Sequence, residues 1–140
     1  MLSDEQIRTL IDASLDAKTA SYSPYSKFRV GAAVLTTCGK VVKGCNVENV
    51  SYGLTICAER TAYTKAVSDG ITSFKAVVVT TDVEGTFTYP CGACRQFMSE
   101  FGDVDVIVAS NDGKYEATTL GELLPKAFDK ETLDSNVETS

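Results

Sequence analysis

Two short cysteine motifs constrain this chain more than any other feature: Cys57-Ala58-Glu59 and, further on, Pro90-Cys91-Gly92-Ala93-Cys94. Each opens a segment that reads as a helix, and a nearly continuous apolar run, Phe74–Thr81, lies between them. Cys91 and Cys94 stand at i and i+3, so both face one side if they start a helix. Cys57 supplies a third thiol. Three thiolates suit a catalytic zinc ion, which takes three protein donors and keeps one position for water. Glu59 is two residues from Cys57, and on a regular helix the two side chains diverge. Glu59 is thus a poor fourth donor, better placed to move protons for something bound beside the metal. Helix starts also favour thiolates through the dipole and free backbone N–H groups. Two helices are expected to converge on one ion.

There are five cysteines and no histidine. Acid–base work near neutral pH must therefore fall to a carboxylate, a thiol or a metal-activated water. Ser-His-Asp and Cys-His mechanisms are excluded. An odd number of cysteines in a chain without a leader argues against a disulfide framework. A lone CxxC could be a redox pair or a structural zinc knuckle, but a structural site needs a fourth ligand. Cys38 and Cys45, at the ends of a predicted strand, read as ordinary thiols. The net charge of −6 disfavours polynucleotide binding. With 140 residues, 44% of them apolar, the chain is expected to bury one core in one domain. It has no apolar run of membrane-spanning length and no charged-then-apolar leader, which leads us to expect a soluble protein.

The elements follow from periodicity and punctuation. Ser3 to Ala20 reads as an amphipathic helix, with Ser3 and Gln6 as a capping box and Ile7, Leu10, Ile11 and Leu15 at helical spacing. Val30–Thr37 and Lys40–Cys45 read as strands joined at Cys38-Gly39. Asn46–Ile56 is polar and irregular. A helix runs from Cys57 to Gly70, a buried strand over Phe74–Thr81, and a helix over Cys91–Phe101 with Pro90 suiting its start. Val104–Ser110 is a second buried strand. Asn111-Asp112-Gly113 is a turn, Tyr115–Thr118 a fifth strand, and Thr119 caps a short helix ending before Pro125. The tail after Asp129 is polar and expected to be loose. This order implies a mixed five-stranded sheet with helices on both faces, a three-layer α/β/α fold.

In combination, C-A-E and P-C-x-x-C resemble the zinc-dependent cytidine deaminase family. The resemblance extends to Ser23-Pro24-Tyr25-Ser26, to Phe28-Arg29-Val30-Gly31-Ala32-Ala33, to the N-x-E-N loop Asn46–Asn49, to Arg60, to Arg95-Gln96, and to Leu123-Leu124-Pro125 with Phe128. Arg29 departs from it, since proline is common there. The resemblance implies one zinc per chain on Cys57, Cys91 and Cys94, with Glu59 as proton shuttle. It implies that Phe28 packs on the pyrimidine, that Asn46 and Glu48 bind the ribose hydroxyls, and that Ala58 offers backbone groups to the base. Tyr52 and Phe128 are implied to reach a neighbouring subunit's pocket in a homotetramer. Three thiolates on a zinc dication leave a net negative site, so Arg60 is expected to draw charge off a sulfur. The resemblance further implies hydrolytic deamination of cytidine and deoxycytidine in pyrimidine salvage, a cytoplasmic location and a nucleoside rather than nucleic-acid partner. The single deaminase domain is expected over residues 1–130, with 131–140 as tail. The competing readings are a deaminase of cytosine-containing antibiotics, an RNA- or single-stranded-DNA-editing deaminase, and a non-catalytic zinc module.

Overall fold

The computed structural model describes residues 2–138. The elements run α1 (Asp4–Lys18), β1 (Val30–Thr36), β2 (Val41–Cys45), α2 (Ala58–Ser68), β3 (Phe74–Thr81), α3 (Gly92–Ser99), β4 (Asp105–Ala109), β5 (Tyr115–Thr119), α4 (Leu120–Leu123) and α5 (Lys130–Glu138), with a short 3-10 turn at Tyr52–Leu54. The five strands form one sheet in the order β2-β1-β3-β4-β5. Only β3 and β4 run parallel; the other neighbours are antiparallel, so the sheet is mixed as expected.

Alternation along the strands feeds two cores. Ala33, Leu35, Ala76, Val78, Ile107 and Ala109 point to the face covered by α1 through Ile7, Leu10 and Ile11. Ala32, Val34, Val77, Val79 and Val106 point to the other face, covered by α2 and α3 through Ala58, Ala62, Ala66, Cys94 and Met98. Helices on both faces explain why β3 is buried almost throughout. The capping box at Ser3 is present, its hydroxyl accepting from the Gln6 N–H at 3.1 Å and Gln6 Oε1 accepting from the Ser3 N–H at 2.9 Å.

Two glycines set how closely the helices approach. A Cβ on Gly31 would lie 2.0 Å from the Ser14 carbonyl oxygen of α1, and one on Gly44 would lie 2.5 Å from the Ala62 nitrogen of α2. With small alanines on the facing stripe of α2, this close approach presses the start of that helix onto β2. The register then brings the functional segments to one end of the sheet. Val30 pairs with Thr81 and Gly31 with Cys45, so the start of β1 and the ends of β2 and β3 lie together.

Two expectations are corrected. Pro90 lies outside α3: Cys91 is the N-cap and Gly92 the first helical residue. Within the described residues the tail is helical over Lys130–Glu138 rather than loose. Asp129 Oδ1 accepts from the Thr132 N–H at 2.8 Å, and Lys130 pairs with Glu100 at 3.3 Å.

Candidate active site

Cys57 and Cys91 each occupy the N-cap of a helix, in extended backbone conformation and with no side-chain capping bond. The sulfurs are thus left free for another use. Cys94 lies in the first turn of α3 and is fully buried. The ligand atoms of Cys57, Cys91 and Cys94 all fall within 4.8 Å of one another, and the Cys57 and Cys91 sulfurs are 3.9 Å apart. All are free thiols. Among the described residues, no fourth cysteine, carboxylate or histidine joins the group. Three soft donors converging from two helix starts fit a zinc ion with one position left open.

The charges favour that use. Hydrogen bonding from Cys94 and then Arg60 holds the Cys57 thiol down at about 5, against the opposing effect of its burial. Cys94 is pushed up, since it hydrogen-bonds to the Cys57 thiolate and is buried. Arg60 Nη2 donates to Cys57 Sγ at 3.3 Å, and its Nε is buried without a protein partner. Arg60 thus sets a charged donor against the sulfur. Glu59 is 4% exposed, and Ala58 beside it is fully buried. Burial pushes the Glu59 carboxyl up to about 6, with the neighbouring Cys57 charge acting the same way.

The loops at this end carry the remaining candidates. Glu48 Oε1 accepts from the N–H groups of Tyr25 and Ser26 at 3.0 and 3.1 Å, and Oε2 accepts from the Ser26 hydroxyl. These bonds, the hydroxyl's foremost, keep the Glu48 carboxyl below its ordinary range. Tyr25, Ser26, Glu48, Tyr52 and Thr55 line a hollow of about 280 Å³. Asn46 is 6% exposed and already engaged. Its Oδ1 accepts from the Val30 N–H at 3.0 Å and from the Ser21 hydroxyl, and its Nδ2 donates to the Phe28 carbonyl at 2.8 Å. One amide hydrogen remains for a ligand. Tyr52 is 73% exposed, its ring 5.7 Å from that of Tyr25. The structure does not join Phe128 to the thiols: its ring is exposed, and its carbonyl accepts from Gln96 Nε2 at 2.8 Å.

The sequence profile of the cytidine and deoxycytidylate deaminase zinc-binding region matches residues 4–110. The chain belongs to the cytidine deaminase family. A probable cytidine deaminase of Dictyostelium discoideum is 50% identical over 137 residues, covering 98% of this chain and 93% of that protein. A cytidine deaminase of Sporosarcina psychrophila is 50% identical over 134 residues, covering 94% and 98%. The crystal structure of cytidine deaminase from Burkholderia pseudomallei superposes with a TM-score of 0.83 at 44% identity, covering 91% of this chain and 100% of that one. The fold is thus the three-layer cytidine deaminase fold, and the chain is a zinc-dependent hydrolase of that family.

Sequence reasoning missed roles for Arg95 and Asp82. Arg95 donates from Nε to the Pro90 carbonyl at 2.7 Å and from Nη1 to the Leu123 carbonyl at 2.9 Å. It ties the residue before Cys91 to the end of α4. The available signal was spacing: Arg95 is one helical turn past Cys91. Asp82 receives Arg29 and Lys18, and no local pattern announces either partner.

Proposed function

We propose that this protein hydrolytically deaminates cytidine and deoxycytidine to uridine and deoxyuridine, releasing ammonia. One observation carries the reading: a buried carboxyl, Glu59, lies beside a three-thiol cluster that fits a zinc ion. When held by Cys57, Cys91 and Cys94, zinc supplies the Lewis acidity that makes water a nucleophile at neutral pH. Glu59 takes a proton from the water attacking C4 and passes it to N3. It then takes the second proton from the new C4 hydroxyl and gives it to the departing amine. A carboxyl raised to about 6 both accepts and returns protons near neutral pH. Arg60 withdraws charge from the Cys57 sulfur.

Around that centre, Phe28 packs on the pyrimidine and the Ala58 backbone meets the base. Glu48 and the free amide hydrogen of Asn46 take the ribose hydroxyls. Tyr52 and Phe128 complete a neighbour's pocket in a homotetramer, which their exposure supports. The setting is pyrimidine salvage in the cytoplasm. One deaminase domain spans residues 1–130, followed by the tail at 131–140.

Ammonia release from a panel of cytidine, deoxycytidine, CMP and a cytosine-containing antibiotic tests this. Turnover of the two nucleosides above all others is expected. CMP should be poor, since a phosphate about 6 Å from the Glu48 carboxylate is repelled by roughly 3 kcal/mol at an effective dielectric of about 20. Turnover of the antibiotic alone, or of nothing on the panel by zinc-loaded protein, would overturn the reading.

A further inference from the structure

Asp82 follows β3 directly and gathers two other segments. Arg29 Nε donates to its Oδ2 at 2.8 Å and Nη2 to its Oδ1 at 3.1 Å, a planar two-point grip. Lys18, the last residue of α1 and 5% exposed, places Nζ 2.9 Å from the same Oδ1. Lys18 also donates to the Thr81 carbonyl and to Asn111 Oδ1, which fixes Asp82 from behind.

Arg29 belongs to the loop that carries Phe28. Lys27 there has φ of 61°, a left-handed conformation that persists only where neighbours impose it. The Phe28 N–H donates to Ser26 Oγ at 3.0 Å, and its carbonyl accepts from Asn46. These bonds hold Phe28 to its own loop and to the one after β2. The Arg29 side chain adds a second tie to the end of β3, beside the backbone pairing of Val30 with Thr81. From Asp82 the chain runs through residues 83–90 straight into Cys91, which caps α3. One carboxylate thus holds together the residue after Phe28, the end of β3 and the last residue of α1.

We propose that Arg29, acting through Asp82, is a positioning residue for the pyrimidine, holding the Phe28 loop in place at the end of β3. The proposal rests on the cytidine deaminase reading above. A surface ion pair with no such role contributes little to stability and nothing to ligand binding. The Arg29 side chain is 47% exposed, so removing it is mild for the fold.

The test compares zinc-loaded wild type with Arg29→Gln, Arg29→Lys, Asp82→Asn and the Gln/Asn double variant. It measures cytidine KM and kcat, uridine Kd by calorimetry, and Tm. Arg29→Gln is expected to raise KM and uridine Kd together by up to about fivefold, the ceiling set by the worth of an exposed ion pair, with kcat nearly unchanged and Tm slightly lowered. Arg29→Lys should recover part of the loss. The double variant should bind no worse than Asp82→Asn, since both remove one interaction. An active wild type whose Arg29→Gln variant keeps its KM and uridine Kd overturns this proposal alone. A wild type that neither binds uridine nor turns over cytidine overturns the functional reading and this proposal with it.

Discussion

Glu59 is close to the thiols yet directed away from a ligand's role, because it follows the capping Cys57 by two positions on α2. Its glutamine variant keeps shape and loses only the exchangeable proton. Glu59→Gln should retain about one zinc per chain by metal analysis and lose at least about 10²–10⁴-fold in kcat. Activity within tenfold of wild type would rule out the proton carrier. Cys91→Ser should instead lose zinc, since it removes one of three donors. The Cys57–Glu59 and Cys91–Cys94 spacings are legible in sequence because each lies within one helical turn. Asn46 is a different case. Its position in the N-x-E-N loop is visible, but the three protein bonds it makes to Ser21, Phe28 and Val30 are not. Likewise the Arg29–Asp82 grip joins residues 53 positions apart, beyond any local pattern.

At the scale of elements, the seat of α2 on β2 depends on the absence of one methyl group. Gly44→Ala would drive a Cβ to 2.5 Å from the Ala62 nitrogen and 2.7 Å from the Ala58 carbonyl oxygen, both backbone atoms. The helix must shift, and a loss of about 1–3 kcal/mol is expected from denaturant midpoints, with weakened zinc retention because Cys57 moves with it. The tie of α1 and β1 to the end of β3 carries a pH signature. Bonds from Arg29, then Lys18, hold the Asp82 carboxyl at about 2 against an ordinary 3.8. A depressed folded-state value means stability that is fully present above pH 4 and lost as pH falls through 2. The stability gap between wild type and Asp82→Asn should therefore be constant above about pH 4 and close between about 4 and 2 in midpoints taken across that range. Most elements were legible because their apolar residues repeat at strand or helix period. Helix α5 was not: its described side chains over residues 130–134 are all exposed, and its start depends on Asp129 capping Thr132.

The whole molecule presents a band of exposed apolar side chains from the loops around the site: Tyr22, Tyr25, Val47, Val50, Tyr52 and Leu54. Tyr22 and Ile56 both bridge to Val47, which makes these loops one surface. A patch of this kind is the sort of surface that suits contact with another chain. On the proposed homotetramer, sedimentation should give four chains at assay concentration, and dilution should lower activity per chain if Phe128 completes a neighbour's pocket; an active monomer would refute both. The three thiols bear on one further matter. An ion held by them would join residues 34 positions apart and so cross-link the starts of α2 and α3, neither of which has a side-chain cap. A bound ion that favours only the folded chain adds stability in proportion to the logarithm of its free concentration. Metal-starved cells would thus hold a looser chain that proteases open more often, and the abundance of this protein would follow zinc supply before its catalysis did.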